Sequence, residues 1–222
     1  MAFKKVLIIG SINKSCEVAS MLSRAAKSLN LDVKVCNNNS SVYAPSMNNV
    51  FGRAFFKLNK KRYFEWSKFN NYILETIIYY RPDFVLVSGI FPLKNKIFEF
   101  LSLKKIPIIN FLTDNPFANR LRSDAFLNNL RFYDLVISTK SDLVKNLYKI
   151  GVKRVEFMFY AYDPFLHRFP DEDHIQNKKF SCDISFVGTG AKERLSFLEK
   201  LSNLEKKNLH LYGNDWQNLK LN

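Results

Sequence analysis

The chain has 222 residues, with 34 Lys plus Arg against 20 Asp plus Glu and a formal net charge of +14. Hydrophobic residues make up 47%, which excludes a disordered segment, and the positive balance selects anionic partners: nucleic acid, anionic lipid headgroups or phosphorylated substrates. No apolar run approaches the roughly 18 residues of a membrane span. The apolar stretch between Lys5 and Gly10 is too short for the h-region of a signal peptide, so a cytoplasmic chain is expected. Cys16, Cys36 and Cys182 are scattered, and His167, His174 and His210 show no metal spacing. Reduced thiols, no metal and no cofactor are expected from that pattern.

The first strand, about 4–9, runs into Gly10-Ser11 and a helix of about 14–29, and a short strand follows at 32–36. A turn-rich loop at 37–41 and a basic, aromatic stretch at 51–64 lead to a helix of about 65–80. The near-continuous apolar runs at 83–89, 106–112 and 134–139 read as strands buried on both faces, with a helix of about 94–103 between the first two. Ser141 is the expected N-cap of a helix to Ile150, and 155–159 closes the sheet. Strands alternating with helices predict an α/β fold, a Rossmann-like parallel sheet domain over 1–162. Residues 163–182, with Pro164, Pro170 and the acidic run Asp171-Glu172-Asp173, read as a linker. A second Rossmann-like domain is then begun over 183–222: a strand at 183–187, a helix of about 191–206 and a strand at 209–212.

Both domains open with an apolar run that ends in Gly and turns into a helix, the way parallel α/β domains offer backbone N–H groups to a phosphate. In the first, Gly10 and Ser11 either contact a ligand or form the tight turn any strand–helix unit needs; no full GxGxxG follows. In the second, Gly188, Thr189 and Gly190 allow close backbone approach, and Arg194 lies about one turn into the helix, where its guanidinium fork suits a diphosphate or simply faces water. Asp114 follows a buried strand at the carboxyl edge, where it serves either as a general base or in an Asx turn ahead of Pro116. Ser88 and Gly89 end another strand at that edge. Arg53, Lys57, Lys60, Lys61 and Arg62 are interleaved with Phe51, Phe55, Phe56, Tyr63, Phe64 and Trp66. That mixture suits an anionic membrane surface, single-stranded nucleic acid, or a helix packing its rings inward.

Several segments, in this order, resemble the GT-B glycosyltransferases of the CgeB-like (spore maturation protein) group. Phe111-Leu112-Thr113-Asp114-Asn115-Pro116-Phe117 is similar to its W-x-x-D-D-P loop, with Asn115 where a second Asp is common. Asp134 to Lys140 resembles its D-x-V-F-T strand, and Met158 to Phe165 its L-P-x-x-x-D-P-x-x-F segment without the early Pro. Asp183 to Gly188 with Arg194 resembles D-V-S-F-V-G-x-x-x-x-R, and Leu211 to Trp216 resembles L-Y-G-x-x-W.

The resemblance implies a metal-independent transfer of sugar from a nucleotide diphospho-sugar to a glycan or lipid-linked acceptor. Helix N-termini and basic side chains would stabilise the departing diphosphate. Gly10, Ser11, Ser88, Gly89 and Asn115 would then bind the acceptor, Asp114 would be catalytic, and Gly188, Thr189, Gly190 and Arg194 would bind the donor. The expected protein is a cytoplasmic glycosyltransferase peripheral to the inner membrane face, with its donor domain incomplete, this form being inactive alone, and with no nucleic-acid partner. The alternative is a non-catalytic basic Rossmann-like module that binds nucleic acid; no helix-turn-helix, zinc or RNP motif supports it. A nucleotide-sugar epimerase using hydride chemistry would bring GxGxxG and an acidic residue after strand two, where Asn37-Asn38-Asn39 stands instead.

Overall fold

The computed structural model of the chain describes residues 3–38, 50, 54, 66–118, 123–168, 181–203 and 208–219. Two compact units divide it, Met1–His167 and Arg168–Asn222.

Among the described residues, the first unit is a six-stranded, all-parallel sheet. Its strands are β1 (Lys5–Gly10), β2 (Asp32–Asn37), β3 (Phe84–Ser88), β4 (Ile108–Leu112), β5 (Leu135–Ser138) and β6 (Val155–Phe157), in the order β2-β1-β3-β4-β5-β6. The connecting helices that the described residues delimit are α1 (Val18–Ser28), α2 (Trp66–Tyr80), α3 (Asn95–Leu103), α4 (Asp124–Asn129) and α5 (Val144–Lys149). Alternate residues of the central strands feed two separate cores, as the two-residue period of a strand requires. Val6 and Ile8 pack with Ala19 of α1, while Leu7, Ile9, Val85 and Val87 pack with residues of α2 to α5 on the other face. α2 shows why its sequence is helical: Phe69, Ile73 and Ile77 recur every fourth residue and are all buried. Each contributes about 1.5–3 kcal/mol by leaving water.

An aspartate stands immediately before three strands and does the same work at each. The Asp83 carboxylate accepts the N–H groups of Lys4 and Lys5 at 2.7 and 2.8 Å, pinning the start of β3 to β1. Asp134 accepts Ile108 N–H at 2.8 Å, joining β5 to β4. In the second unit, Asp183 accepts Asn208 N–H at 2.9 Å ahead of β7 (Ile184–Val187) and β8 (Leu209–Tyr212), which pair in parallel and flank α6 (Lys192–Asn203).

Three local expectations change. α1 begins at Val18, not near 14, because Lys14 to Glu17 form a turn in which Ser20 Oγ donates to Lys14 O at 2.9 Å. Ser141 is not an N-cap: it opens a 3-10 turn, Ser141–Leu143, and Lys140 N–H goes to the Ser138 hydroxyl at 3.1 Å instead. α4 was not anticipated; Ser123 caps it, accepting Phe126 N–H at 3.4 Å.

Candidate functional site

In the first unit β1 and β3 are neighbours, while the connections leaving them run to opposite sides of the sheet, to β2 and to β4. The crevice outside the carboxyl ends at such a switch point is where open α/β sheets bind ligands. Gly10, Ser88-Gly89 and the loop after Leu112 therefore stand at the ends of three consecutive strands, spaced about 4.8 Å apart.

Geometry there assigns structural duties to the glycines. A Cβ on Gly10 would lie 2.7 Å from the Ala19 Cβ and 3.0 Å from the Ser88 Cβ, so α1 can sit against the sheet only over glycine. Gly89 has φ +82°, donates to Phe111 O at 2.9 Å and accepts from the Asn110 amide at 3.0 Å. Asn110 is fully buried mid-sheet, and its Nδ2 also reaches Val87 O at 3.4 Å, fixing the end of β3 from β4.

Side chains line the β1–α1 loop. Ser11 donates to the Glu17 carboxylate at 2.5 Å, Ile12 N–H reaches Asn37 Oδ1 at 3.4 Å, and Asn37 donates to Asn13 at 2.8 Å. Sequence reasoning missed Glu17, Asn13 and Asn37 because no spacing links residues from two strands' loops. In the β4 loop the Asx turn belongs to Asn115, whose Oδ1 accepts Phe117 N–H at 2.9 Å. Asp114 takes no part in that turn; it is exposed, with only the Thr113 hydroxyl at 3.4 Å beside its carboxylate among the described contacts.

Asp163, at the start of the expected linker, is anchored to the first unit. It is 6% exposed and pairs with Arg24 of α1, whose Nε lies at 2.8 Å and whose Nη2 also donates to Ser15 O at 2.7 Å. The Arg24 hydrogen bonds hold its carboxyl below the usual range, against the opposing effect of desolvation. A groove of about 600 Å³ opens at the opposite, amino edge of the sheet, beside Pro107, Phe132, Asp134 and Lys153. It lies away from the switch point, and the strand-end geometry is the better guide to a ligand.

In the second unit the segment Gly188-Thr189-Gly190 lies against the turn after β8. Gly188 N–H donates to Tyr212 O at 2.8 Å and Gly190 N–H to Asn214 O at 2.7 Å, while Trp216 Nε1 donates to Gly188 O at 2.8 Å. A Cβ on Gly190 would meet the Asp215–Trp216 backbone at 2.9 Å, and one on Gly213, whose φ is +137°, would meet Gly188 O at 2.1 Å. Glycine–backbone packing thus uses the N–H groups of Gly188 and Gly190. What this edge retains for an anion is the Thr189 side chain, the N-terminus of α6 and Arg194. Arg194 folds over the loop, donating to Thr189 O at 2.6 Å with its guanidinium 5.6 Å from the Phe186 ring.

Among the described residues no group of His, Cys, Asp and Glu is placed to hold a metal ion, and no helix is long and apolar enough to cross a membrane. Arg53, Lys57, Lys60, Lys61 and Arg62 lie outside the described residues.

No protein-family model and no curated protein matches the chain. Solved structures do. An alpha-glucosyltransferase in complex with UDP-glucose and DNA containing an abasic site aligns with TM-score 0.57 at 11% identity, over 97% of this chain and 58% of that one. UDP-GlcNAc 2-epimerase from Methanocaldococcus jannaschii aligns with TM-score 0.54 at 13% identity, over 94% and 65%. The S. aureus MnaA–UDP co-structure gives 0.51 at 14% identity, over 96% and 62%. The chain thus spans less than two thirds of each, and what it shares with them is the Rossmann-like GT-B fold.

Proposed function

We propose that the chain belongs to a glycosyltransferase that takes a nucleotide diphospho-sugar as donor and a glycan or lipid-linked acceptor, without a metal. The observation that carries the reading is the presence, in one chain, of two parallel α/β units of the GT-B kind, each ending a strand in a glycine loop that opens a helix. The likeness to structures holding UDP or UDP-glucose supports a nucleotide-sugar donor. The ordered CgeB-like segments support transfer over other sugar chemistry.

In this reading the first unit takes the acceptor. Ser11, Ser88 and Asn115, with the backbone at Gly10 and Gly89, line its place, and Asp114 accepts the proton of the attacking hydroxyl. The second unit takes the donor diphosphate at the α6 N-terminus. Arg194 leaves the Thr189 carbonyl to neutralise the departing phosphate, with Thr189 beside it. A cytoplasmic location, peripheral to an anionic membrane, is part of the same proposal and rests on the cations of residues 51–64. Sedimentation with anionic vesicles, lost on charge reversal at Lys60, Lys61 and Arg62, tests it.

The epimerase likeness favours a second reading, in which the same donor is rearranged with no acceptor at all. Isothermal titration with a panel of nucleotide diphospho-sugars, followed by product analysis, separates the cases. The transferase reading expects weak binding, above about 10 µM, and further weakening by Arg194→Ala. Sub-micromolar binding would show the donor site misplaced, and epimerised sugar without an acceptor would establish the second reading.

A further inference from the structure

We propose that the aromatic segment after β6 is a sugar-binding shelf, in which Tyr160, with Phe159 beside it in the chain, takes the apolar face of a pyranose ring next to Asp114. The proposal rests on the glycosyl-transfer reading and narrows its acceptor to a glycan. Beyond the edge strand β6 the chain exposes a run of large rings: Phe159 is 77%, Tyr160 61% and Tyr162 74% exposed. Exposed apolar patches mark binding sites more often than scattered exposed residues do. Phe157 and Phe159 meet edge to face with centroids 4.7 Å apart.

Tyr160 is tied to the β4 loop by its polar end. Its hydroxyl donates to Thr113 O at 3.3 Å, the carbonyl that the Thr139 hydroxyl also reaches at 3.4 Å, while its apolar body stays in solvent. Thr113 is the residue before Asp114, so the tether brings an aromatic face, a carboxylate, two hydroxyls and the Asn115 amide to one place at the carboxyl edge. A pyranose has matching chemistry, with C–H groups on one face for the ring and hydroxyls at its rim for carboxylate, amide and hydroxyl groups. An anionic lipid headgroup matches less well, because the charge in the β4 loop is the Asp114 carboxylate. Lys140 follows Thr139 in the chain, so an anionic sugar belongs in the test.

Saturation-transfer NMR on the full chain, with methyl glucoside, methyl galactoside and glucose 6-phosphate as probes, reads the shelf directly. Transfer from aromatic protons to the neutral glycosides is expected. It should fall about 2- to 12-fold in Tyr160→Ala, the worth of one aromatic contact. Tyr160→Phe, which keeps the ring but loses the tether to Thr113, should lower it less than Tyr160→Ala does, and Tyr79→Ala, an exposed ring on α2, should leave the signal unchanged. Signal from glucose 6-phosphate alone, equal loss in Tyr79→Ala, or no transfer to any sugar would overturn the proposal. So would loss of phosphatidylcholine-vesicle sedimentation in Tyr160→Ala without any sugar signal. Sugar contact that persists while no nucleotide sugar binds would leave the shelf standing and remove the transfer reading.

Discussion

Replacing Gly10 by Ala separates packing from ligand contact at the carboxyl end of β1. The new methyl would stand 2.7 Å from the Ala19 Cβ and 3.0 Å from the Ser88 Cβ, whereas carbon atoms rest at about 3.5–4.0 Å. Relief requires α1 to retreat from the sheet by about 1 Å, opening the small core of Val6, Ile8 and Ala19. Overpacking of this kind costs about 1–3 kcal/mol, which lowers Tm by about 2–12 °C at this chain length. Ala19→Gly alone costs about 1 kcal/mol as a glycine in a helix. In the Gly10→Ala background it removes the nearer clash and should restore much of the loss, leaving the milder contact with Ser88. A coupling of about 1–2 kcal/mol is therefore expected in a double-mutant cycle measured by urea unfolding. Strict additivity would refute the packing argument. Unchanged stability together with lost ligand binding would instead return Gly10 to a direct ligand role.

The Asp83 carboxyl is held below 3.8, chiefly by the Lys4 and then the Lys5 backbone N–H groups, and Asp163 likewise by Arg24. A depressed folded pKa stabilises above the unfolded value, so both contributions are present above about pH 4 and fade as pH falls through the folded value. Urea midpoints from pH 7 to pH 3 should show wild type and Asp83→Asn converging at the acid end; a constant gap would contradict the linkage. Asn110→Ala should destabilise by about 1–3 kcal/mol, because the Gly89 and Val87 carbonyls lose their donor, and equal thermal stability would count against that role. Brief trypsin treatment should cut first within 168–182, leaving a resistant first unit that retains the Arg24–Asp163 pair. Cleavage spread evenly along the chain would contradict the two-unit division.

The fold was legible where burial on both faces left no choice of side chain. Val6 to Ile9, Val85 to Val87 and Val136 to Ile137 sit inside a covered sheet, so apolar runs mark the strands, the latter two opened by Asp83 and Asp134. The Asp residues themselves are legible only afterwards, as carboxylates that hold a neighbouring strand's first N–H. Short elements escaped: α4 spans six residues and offers a single buried Phe126 and Asn129 to set a period. The candidate site was legible only as positions at strand ends. Strand ends located Ser11, Ser88 and Asp114, but a glycine demanded by packing and a glycine demanded by phosphate leave the same letters. Only the Ala19 contact at Gly10 and the Tyr212 and Asn214 carbonyls at Gly188 and Gly190 distinguish them. Tyr160 and Arg24 act across 47 and 139 residues of sequence, distances at which no local pattern carries information.

Hydrogen–deuterium exchange of the chain with millimolar UDP-glucose tests the central claim most directly, because it needs neither an acceptor nor turnover. The account predicts slowed exchange in the segment from Val187 to Arg194, with the first turn of α6 most protected, and loss of that footprint in Arg194→Ala. A footprint confined to Gly10–Glu17, or no protection from any nucleotide diphospho-sugar, would contradict it.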